Sequence, residues 1–364
     1  MAQTVLPFGS PLAVKRWASL LAVEVNKKSY FSKKFIGKND NAVIQQLTDL
    51  DNAAGDKVAF DLSVNLRNKP TVGDNRLEGN EENLRFYQDE IYIDQIRHGV
   101  SAGGRMTRKR TVHNLRDVAK ARLSEHLARW VDELTFIYLS GARGINQDFV
   151  EDLAYAGHAG NPVQAPDPDH QMFAGGHSAP NQVTVADKIS RNLIEAATVK
   201  ARMMQALNPD QSNMAPTNIN GESHYVLVMS PYQMHDLRTD NASGWMDIQR
   251  AAAAAEGKNN PIFKGGAGMI NNVVLHEHES VIRFDNYGSS GNVLAARALF
   301  LGRQAGAIAY GSSGGMRFAW AEEMHDYGNE PVVSSGMTIG VKKTRFNNQD
   351  FGVLAIDTAA APSA

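Results

Sequence analysis

From Val58 to Leu66 every second residue is apolar: Val58, Phe60, Leu62, Val64 and Leu66 fall on one side, and Ala59, Asp61, Ser63 and Asn65 on the other. A period of two predicts a half-buried strand. Arg67 to Arg76 carries turn chemistry, punctuated by Pro70 and Gly73. Leu84 to Ile96 predicts the return strand, with an apolar parity that shifts between Phe86 and Ile91, as a bulge or a two-sided contact would produce. At roughly 3.3 Å per residue the first arm alone is about 30 Å long. A lone two-stranded hairpin of that length is marginal in water. Its apolar face therefore requires a second body, which could be another copy of the chain.

The period then changes. Val112, Leu115, Val118, Ala119, Leu123, Leu127, Trp130, Val131, Leu134 and Ile137 recur at spacings of three and four, with Arg116, Lys120, Arg122, Glu125, Arg129 and Asp132 on the other side. This predicts one helix, capped by Thr111 and stopped by Gly141. At 1.5 Å per residue it is about 40 Å long, against an average globular helix of roughly 11–12 residues. It is a strut across the whole molecule.

Around these two elements the pattern is weaker. Val14 to Val25 reads as a short amphipathic helix carrying Trp17, Leu20, Leu21 and Val25, followed by Lys27, Lys28, Lys33 and Lys34 with Tyr30, Phe31 and Phe35 among them. Basic residues interleaved with aromatics suit single-stranded nucleic acid. The preferred reading is an arm that docks its aromatics on a neighbouring surface while the lysines stay solvated. Gly157 to Pro180 and Asn208 to Gly221 read as loops. Asp187 is expected to cap a helix through Leu207. Tyr225 to Met229 is a buried strand, with Ser230, Pro231 and Gln233 forming a capping box behind it. A helix around Trp245 to Ala255, a strand-rich segment from Met269 to Phe284 and short strands from Arg317 onward complete the outline. No internal repeat and no clean linker is visible, and the mixed segment of about 141–315 is expected to be inserted between elements that belong with the strut.

Composition excludes more than it assigns. The 364 residues suggest about two domains, and 43% hydrophobic with 21% charged residues is ordinary globular material. A net charge of −2 argues against a dedicated nucleic-acid binder. The absence of cysteine removes disulfides, thiolate catalysis and thiolate metal sites. No apolar run is long enough to span a bilayer, and Lys15, Arg16 and Glu24 spoil a secretory signal, so a soluble protein made inside the cell is expected.

Three stretches resemble catalytic motifs. Gly311-Ser-Ser-Gly-Gly315 fits a nucleophile elbow with Ser313, but that motif requires a strand-to-helix turn with an acid and then a histidine downstream. Here a strand-like segment follows and His325 precedes any downstream aspartate, so a glycine-serine turn is expected. His276 and His278 would share one face of a strand, yet the spacing is not H-E-x-x-H and no third ligand is marked, which favours an exposed polar strand. Gly265-Gly-Ala-Gly268 precedes a strand instead of linking a strand to a helix, and fails as a phosphate loop.

The charged block Arg76-Leu-Glu-Gly-Asn-Glu-Glu-Asn-Leu-Arg85 remains. Glu78, Glu81 and Glu82 are conceivable general acids, but they sit on a hairpin tip with no cleft residues near in sequence. A solvated tip is the bland reading. An intersubunit clamp, in which these carboxylates meet arginines of another copy, is preferred because the hairpin needs a partner in any case. The expected contact residues are Arg67, Arg76, Glu78, Glu81, Glu82 and Arg85 on the tip and Trp17, Phe31 and Phe35 on the arm.

Several ungapped blocks carry a family resemblance: Asn41-Ala-Val-Ile-Gln-Gln-Leu-Thr-Asp-Leu50, Gly55-Asp-Lys-Val58, Gly73-Asp-Asn-Arg-Leu-Glu-Gly-Asn-Glu-Glu82, Ile93-Asp-Gln-Ile-Arg-His-Gly-Val100 and Pro261-Ile-Phe-Lys-Gly265. Together with the order of parts, they resemble tailed-phage major capsid proteins of the α+β, Hong Kong 97-type (Johnson) fold, and most closely the capsid family of podophage N-four. The resemblance covers nearly the whole chain and is densest from Trp17 to Gly141.

It implies an N-terminal arm at 1–55, an extended loop at 56–104, and a spine helix with the first part of a peripheral domain at 105–219. An axial domain would follow at 220–315, with returning peripheral strands at 316–364. It further implies no enzymatic activity and no cofactor. Pentamers and hexamers would tile an icosahedral shell in the virion, assembled in the host cytoplasm around double-stranded DNA contacted non-specifically. A portal protein at one vertex and a decoration protein are further implied partners. Because family-like sequence begins by about Val14, scaffolding is expected from a separate protein. Two alternatives stand beside this: an encapsulin-like compartment shell of the same fold, and a serine hydrolase using Ser313.

Overall fold

The computed structural model of the chain describes residues 28–48, 55–63, 66–111, 114–207, 211–219, 221–240, 266–311 and 318–362. In chain order, helix α1 (Tyr30–Lys34) is followed by β1 (Ile36–Gly37), β2 (Ile44–Leu47) and the hairpin strands β3 (Lys57–Ser63) and β4 (Phe86–Tyr92). Next come β5 (Asp94–Ser101), the short helix α2 (Arg105–Arg110) and the long helix α3 (Leu115–Ser140). Strands β6 (Gly157–His158), β7 (Asn161–Pro162) and β8 (Gln171–Phe173) precede α4 (Arg191–Leu207), β9 (Thr217–Ile219), β10 (Glu222–Met229) and α5 (Pro231–Asp240). The chain continues through β11 (Gly268–Ile270), β12 (Val273–Glu277), β13 (Arg283–Tyr287), β14 (Val293–Leu301) and β15 (Gly306–Gly311). It ends with β16 (Phe318–His325), β17 (Glu330–Lys343), β18 (Arg345–Phe346), β19 (Gln349–Asp350) and β20 (Val353–Ala359).

Two sheets share α3. In the first, β15 and β16 lie end to end along one side of β17, β5 pairs along the other side, and β2 and β1 extend the sheet beyond β15. The second runs β11-β12-β10-β14-β20-β8, with β9 on β10 and β13 on β14. Ile308, Met337, Ile339 and Val341 of the first sheet and Val226, Val228, Leu299 and Leu301 of the second enter one core with Leu123, Leu127, Leu134 and Ile137 of α3. That double cover explains why every residue from Trp130 to Ser140 is buried, although the helix begins with an exposed charged face. β10 is apolar without a break for the same kind of reason. Val226 and Val228 face α3, while Tyr225, Leu227 and Met229 face a second core with Ala197, Ala201 and Met204 of α4 and Met234 and Leu237 of α5.

Helix ends agree with expectation where local chemistry decides them. Gly141 takes φ 69°, and its amide donates to Ile137 O at 2.9 Å, closing α3 in the left-handed conformation that glycine tolerates. Ser230 and Gln233 form the reciprocal box, Gln233 Oε1 accepting from Ser230 N and Ser230 Oγ from Gln233 N. Two N-termini differ from expectation. Thr111 ends α2, and α3 begins only after Asn114. Asp187 accepts from both Thr184 N and Thr184 Oγ1, so it shapes the preceding turn, and Ser190 Oγ accepts from Leu193 N at the start of α4. Two strand pairings cross the expected segment bounds. β15, expected within 220–315, pairs with β17 and β2, and β20, expected among the returning strands, pairs with β14. In each case backbone pairing across a long sequence separation decides, and local pattern does not report it.

The hairpin ladder is continuous from Lys57↔Tyr92 to Ser63↔Phe86, with no bulge. The parity shift has another cause: Phe86 faces outward, and the inward positions of β4 are Tyr87, Asp89 and Ile91. Where the hairpin leaves the body it crosses β17 at Gly340, whose added Cβ would stand 2.0 Å from Tyr92 O. Gly340→Ala is therefore expected to displace the hairpin root and to destabilise the subunit by about 1–3 kcal/mol, read as a lower denaturation midpoint in urea.

Candidate assembly surface

The root of the hairpin is fixed by polar contacts from three directions. Asn161 acts as a substitute strand partner: its Oδ1 accepts from Tyr92 N at 2.9 Å, and its Nδ2 donates to Tyr92 O at 2.7 Å. Tyr138 of α3 donates its hydroxyl to Asn161 O at 2.7 Å, so the strut sets the position of the hairpin through one intermediate residue. On the inward side, Asp89 pairs with Lys342 of β17 and accepts from Arg345 N, while Lys342 Nζ also donates to Glu90 O. Below them Val58 and Ile91 are buried with Leu47, Ala307 and Ala309. None of Asn161, Asp89 and Lys342 was among the expected contact residues. Only Asp89 left a trace in the pattern, as a polar residue at an inward position of a strand.

Beyond the root the hairpin stands away from the subunit. Leu66, Val72, Leu77, Leu84 and Phe86 are between 59 and 71% exposed. The expected clamp residues lie together here, but they also shape the tip itself. Arg76 pairs with Glu78, and Glu81 accepts from Gly79 N. Glu82 accepts from the amides of Arg67 and Asn68, tying the two arms together. Those amides, with Arg85 and Arg67 nearby, hold the Glu82 carboxyl below the usual carboxylate range. Arg85 is exposed on the same tip.

The arm behaves differently. Phe31 and Phe35, expected to contact another subunit, are buried in the chain's own core at 0 and 2% exposure. That expectation is corrected: α1 packs on α3, with Phe31 4.7 Å from Phe136 and Phe35 5.2 Å from His276, ring centre to ring centre. Asp132 of α3 captures the start of α1, accepting from Ser29 Oγ, Tyr30 N and Phe31 N at 2.7–3.1 Å. Lys28 donates to Ser124 Oγ on the same helix. Trp17 and Ser313 lie outside the described residues, as do the helices expected around 14–25 and 245–255.

His276 and His278 belong to this aromatic cluster and not to an exposed strand. His276 is 1% exposed, and His278 lies 4.4 Å from the Tyr30 ring and 4.9 Å from that of Phe136. Among the described residues no group of three or more potential ligands could hold a metal ion. Burial, with Lys34 nearby, pushes the His278 imidazole down to about 4, and its Nδ1 accepts from Ser280 N, which a proton there would prevent. Burial pushes Asp132 up to about 6. The two act in opposite senses. As pH falls from about 6.5 to 4 the unfolded chain takes up a proton that folded His278 refuses, so stability is lost. Over nearly the same window folded Asp132 takes up a proton more readily than the unfolded chain, so stability is gained. Each effect amounts to about 3 kcal/mol. His278→Gln is therefore expected to gain about 3 kcal/mol relative to the wild type between pH 7 and pH 4, measured by urea denaturation at each pH.

Comparison with known proteins agrees with this architecture. The family described as "Phage capsid protein" matches residues 5–362. The major capsid protein of Pseudomonas phage KPP25 is 29% identical over 92% of each chain. Among solved structures, the capsid of Ralstonia phage GP4 superposes with a TM-score of 0.88 at 55% identity, covering all of both chains. The Cyanophage Pam1 capsid shares the fold, with a TM-score of 0.71 at 20% identity over 93% of each. The chain therefore belongs to the phage capsid protein family, with a Hong Kong 97-type fold. It serves as the major capsid protein of a tailed phage, a structural component of the virion's icosahedral shell that associates with itself in capsomers. These matches favour neither the cargo-compartment nor the serine-hydrolase alternative.

Proposed function

We propose that the chain tiles the head shell through pentameric and hexameric rings, each hairpin lying over the adjacent subunit and closing the ring head to tail. The observation that carries this is the hairpin itself, rigid at its root and exposing Leu66, Val72, Leu77, Leu84 and Phe86 beyond it. A heterologous contact repeated around an axis closes into a ring when the rotation permits. In this reading the extended loop is 56–104. The sheet of β15–β17 on α3, along which β5 at the end of that loop pairs with β17, is the peripheral domain, and the sheet of β8–β14 and β20 is the axial domain. The tip residues Arg67, Arg76, Glu78, Glu81, Glu82 and Arg85 set register with the neighbour, and add little affinity while exposed.

The shell encloses double-stranded DNA. A net charge of −2 suits an inner face that tolerates DNA without gripping it, since each phosphate contact adds salt-dependent affinity. A separate scaffolding protein, a portal protein, a decoration protein and assembly in the host cytoplasm complete the proposal, supported by family membership alone. Negative-stain electron microscopy with mass by light scattering tests it. Shells or ring-shaped capsomers are expected, and a strictly monomeric protein, even with a scaffolding partner supplied, would refute it.

A further inference from the structure

We propose that the cavity between the hairpin and the second sheet binds a compact polyphosphate compound, free or as part of a nucleotide. The cavity measures about 880 Å³, within the range of sites that enclose one small ligand. Leu62, Ser63 and Tyr87 of the hairpin line one part of it, and Arg202 of α4, Tyr225 of β10 and Arg303, just after β14, line another. The charge of the lining is one-sided. Three guanidinium groups, those of Arg67, Arg202 and Arg303, meet a single carboxylate, Asp350. That carboxylate is already paired with Lys343 at 2.7 Å and Arg345 at 3.0 Å, neither of which lines the cavity. Among the described residues neither Arg202 nor Arg303 has an ion pair, and Arg303 Nε is buried with no hydrogen-bond partner. In a chain with a net charge of −2, such a local excess of cations draws an anion into the concavity.

His170 gives a second, independent sign. It lines the cavity and is only 2% exposed; Asp167 lies 2.9 Å from its Nδ1, and its Nε2 has no partner among the described residues. A buried ring nitrogen left unpaired costs stability. A phosphate accepts through its oxygens and donates through a hydroxyl, so it satisfies Nε2 in either tautomer. The Arg202 guanidinium lies 5.7 Å from the centre of the Tyr225 ring. An arginine held against a ring in this way keeps its donor fork for paired hydrogen bonds to phosphate. A lone carboxylate would use one such fork, whereas two or more phosphates use all three. A molecule bound here touches the hairpin and the second sheet at once, and so fastens the hairpin to its own subunit.

Isothermal titration calorimetry of the unassembled full-length subunit with ATP and, separately, with inorganic tripolyphosphate tests the site. Saturable binding of one molecule per chain is expected. Tighter binding of ATP would identify a nucleotide as the source of the phosphates, and comparable affinities would identify a free polyphosphate. Arg202→Gln and Arg303→Gln are each expected to weaken binding about tenfold. Arg76→Gln, at the hairpin tip and outside the cavity, should leave it unchanged. Arg202 is exposed on α4, so Arg202→Gln decides if Arg303→Gln does not fold. Failure of both probes to bind would overturn the proposal, as would wild-type affinity in Arg202→Gln. A single-stranded oligonucleotide that displaced ATP with higher affinity would also overturn it, and would assign the cavity to the genome.

Discussion

A subunit in which residues 64–85 are replaced by Asn-Gly is expected to fold normally and to form no shells. Ser63 and Phe86 are the last paired residues of the hairpin, so a two-residue turn joins them without altering the ladder. Among the described residues from 66 to 85 none is buried, so the core is untouched, and stability should stay within about 0.5 kcal/mol of the wild type. Assembly is another matter. Covering one large apolar side chain contributes about 1.5–3 kcal/mol, and the truncation removes Leu66, Val72, Leu77 and Leu84 together. Even after the cost of ordering the contact, that exceeds what a weak, repeated interface can lose. Shell yield by sedimentation, beside a urea melt of the unassembled subunit, separates the two effects. A truncated chain that still builds shells would show that the hairpin holds nothing together.

Asp357→Ala is expected to have the largest effect on the fold, about 3–5 kcal/mol. Asp357 is completely buried on β20, between β14 and the edge strand β8 of the second sheet, and Arg297 meets it through Nε at 2.7 Å and Nη2 at 2.9 Å. Tyr287 and Gln171 also donate to its carboxylate, which joins β13, β14, β20 and β8 at one point. Arg297 Nη1 donates to Ser140 O at the end of α3, where a cation also suits the helix dipole. Removing the carboxylate leaves the arginine buried without its counter-charge, whereas Arg297→Met with Asp357→Leu removes both charges and should recover most of the loss. Since folded domains are stable by only about 5–15 kcal/mol, the single variant should yield little subunit for assembly. Equal midpoints for the single and double variants in urea would contradict this account.

Much of this fold was legible in the sequence wherever a short-range rule decides. The alternation of Val58, Phe60 and Leu62, the period of α3, the stop at Gly141 and the box of Ser230 and Gln233 all depend on neighbours a few residues away. The expectation that the hairpin lies on a second body rests on its length alone. The remainder depended on distant partners. Phe31 and Phe35 looked like residues offered to another subunit because their partners, Phe136 and His276, are far away in sequence. His276 and His278 looked polar and exposed for the same reason. The root of the hairpin, where Asn161 replaces a strand and Asp89 meets Lys342, is built wholly from contacts between distant segments. Spacing carries no trace of these beyond the inward parity of Asp89.

Hydrogen–deuterium exchange of the hairpin, compared between free subunits and assembled shells, tests the central claim most directly. Coverage by the adjacent copy predicts that amides of residues 66–86 exchange more slowly in shells, while those of α3, already buried, change little. Equal exchange of the hairpin in both states would show that it remains solvated after assembly and would contradict its role as the contact between copies.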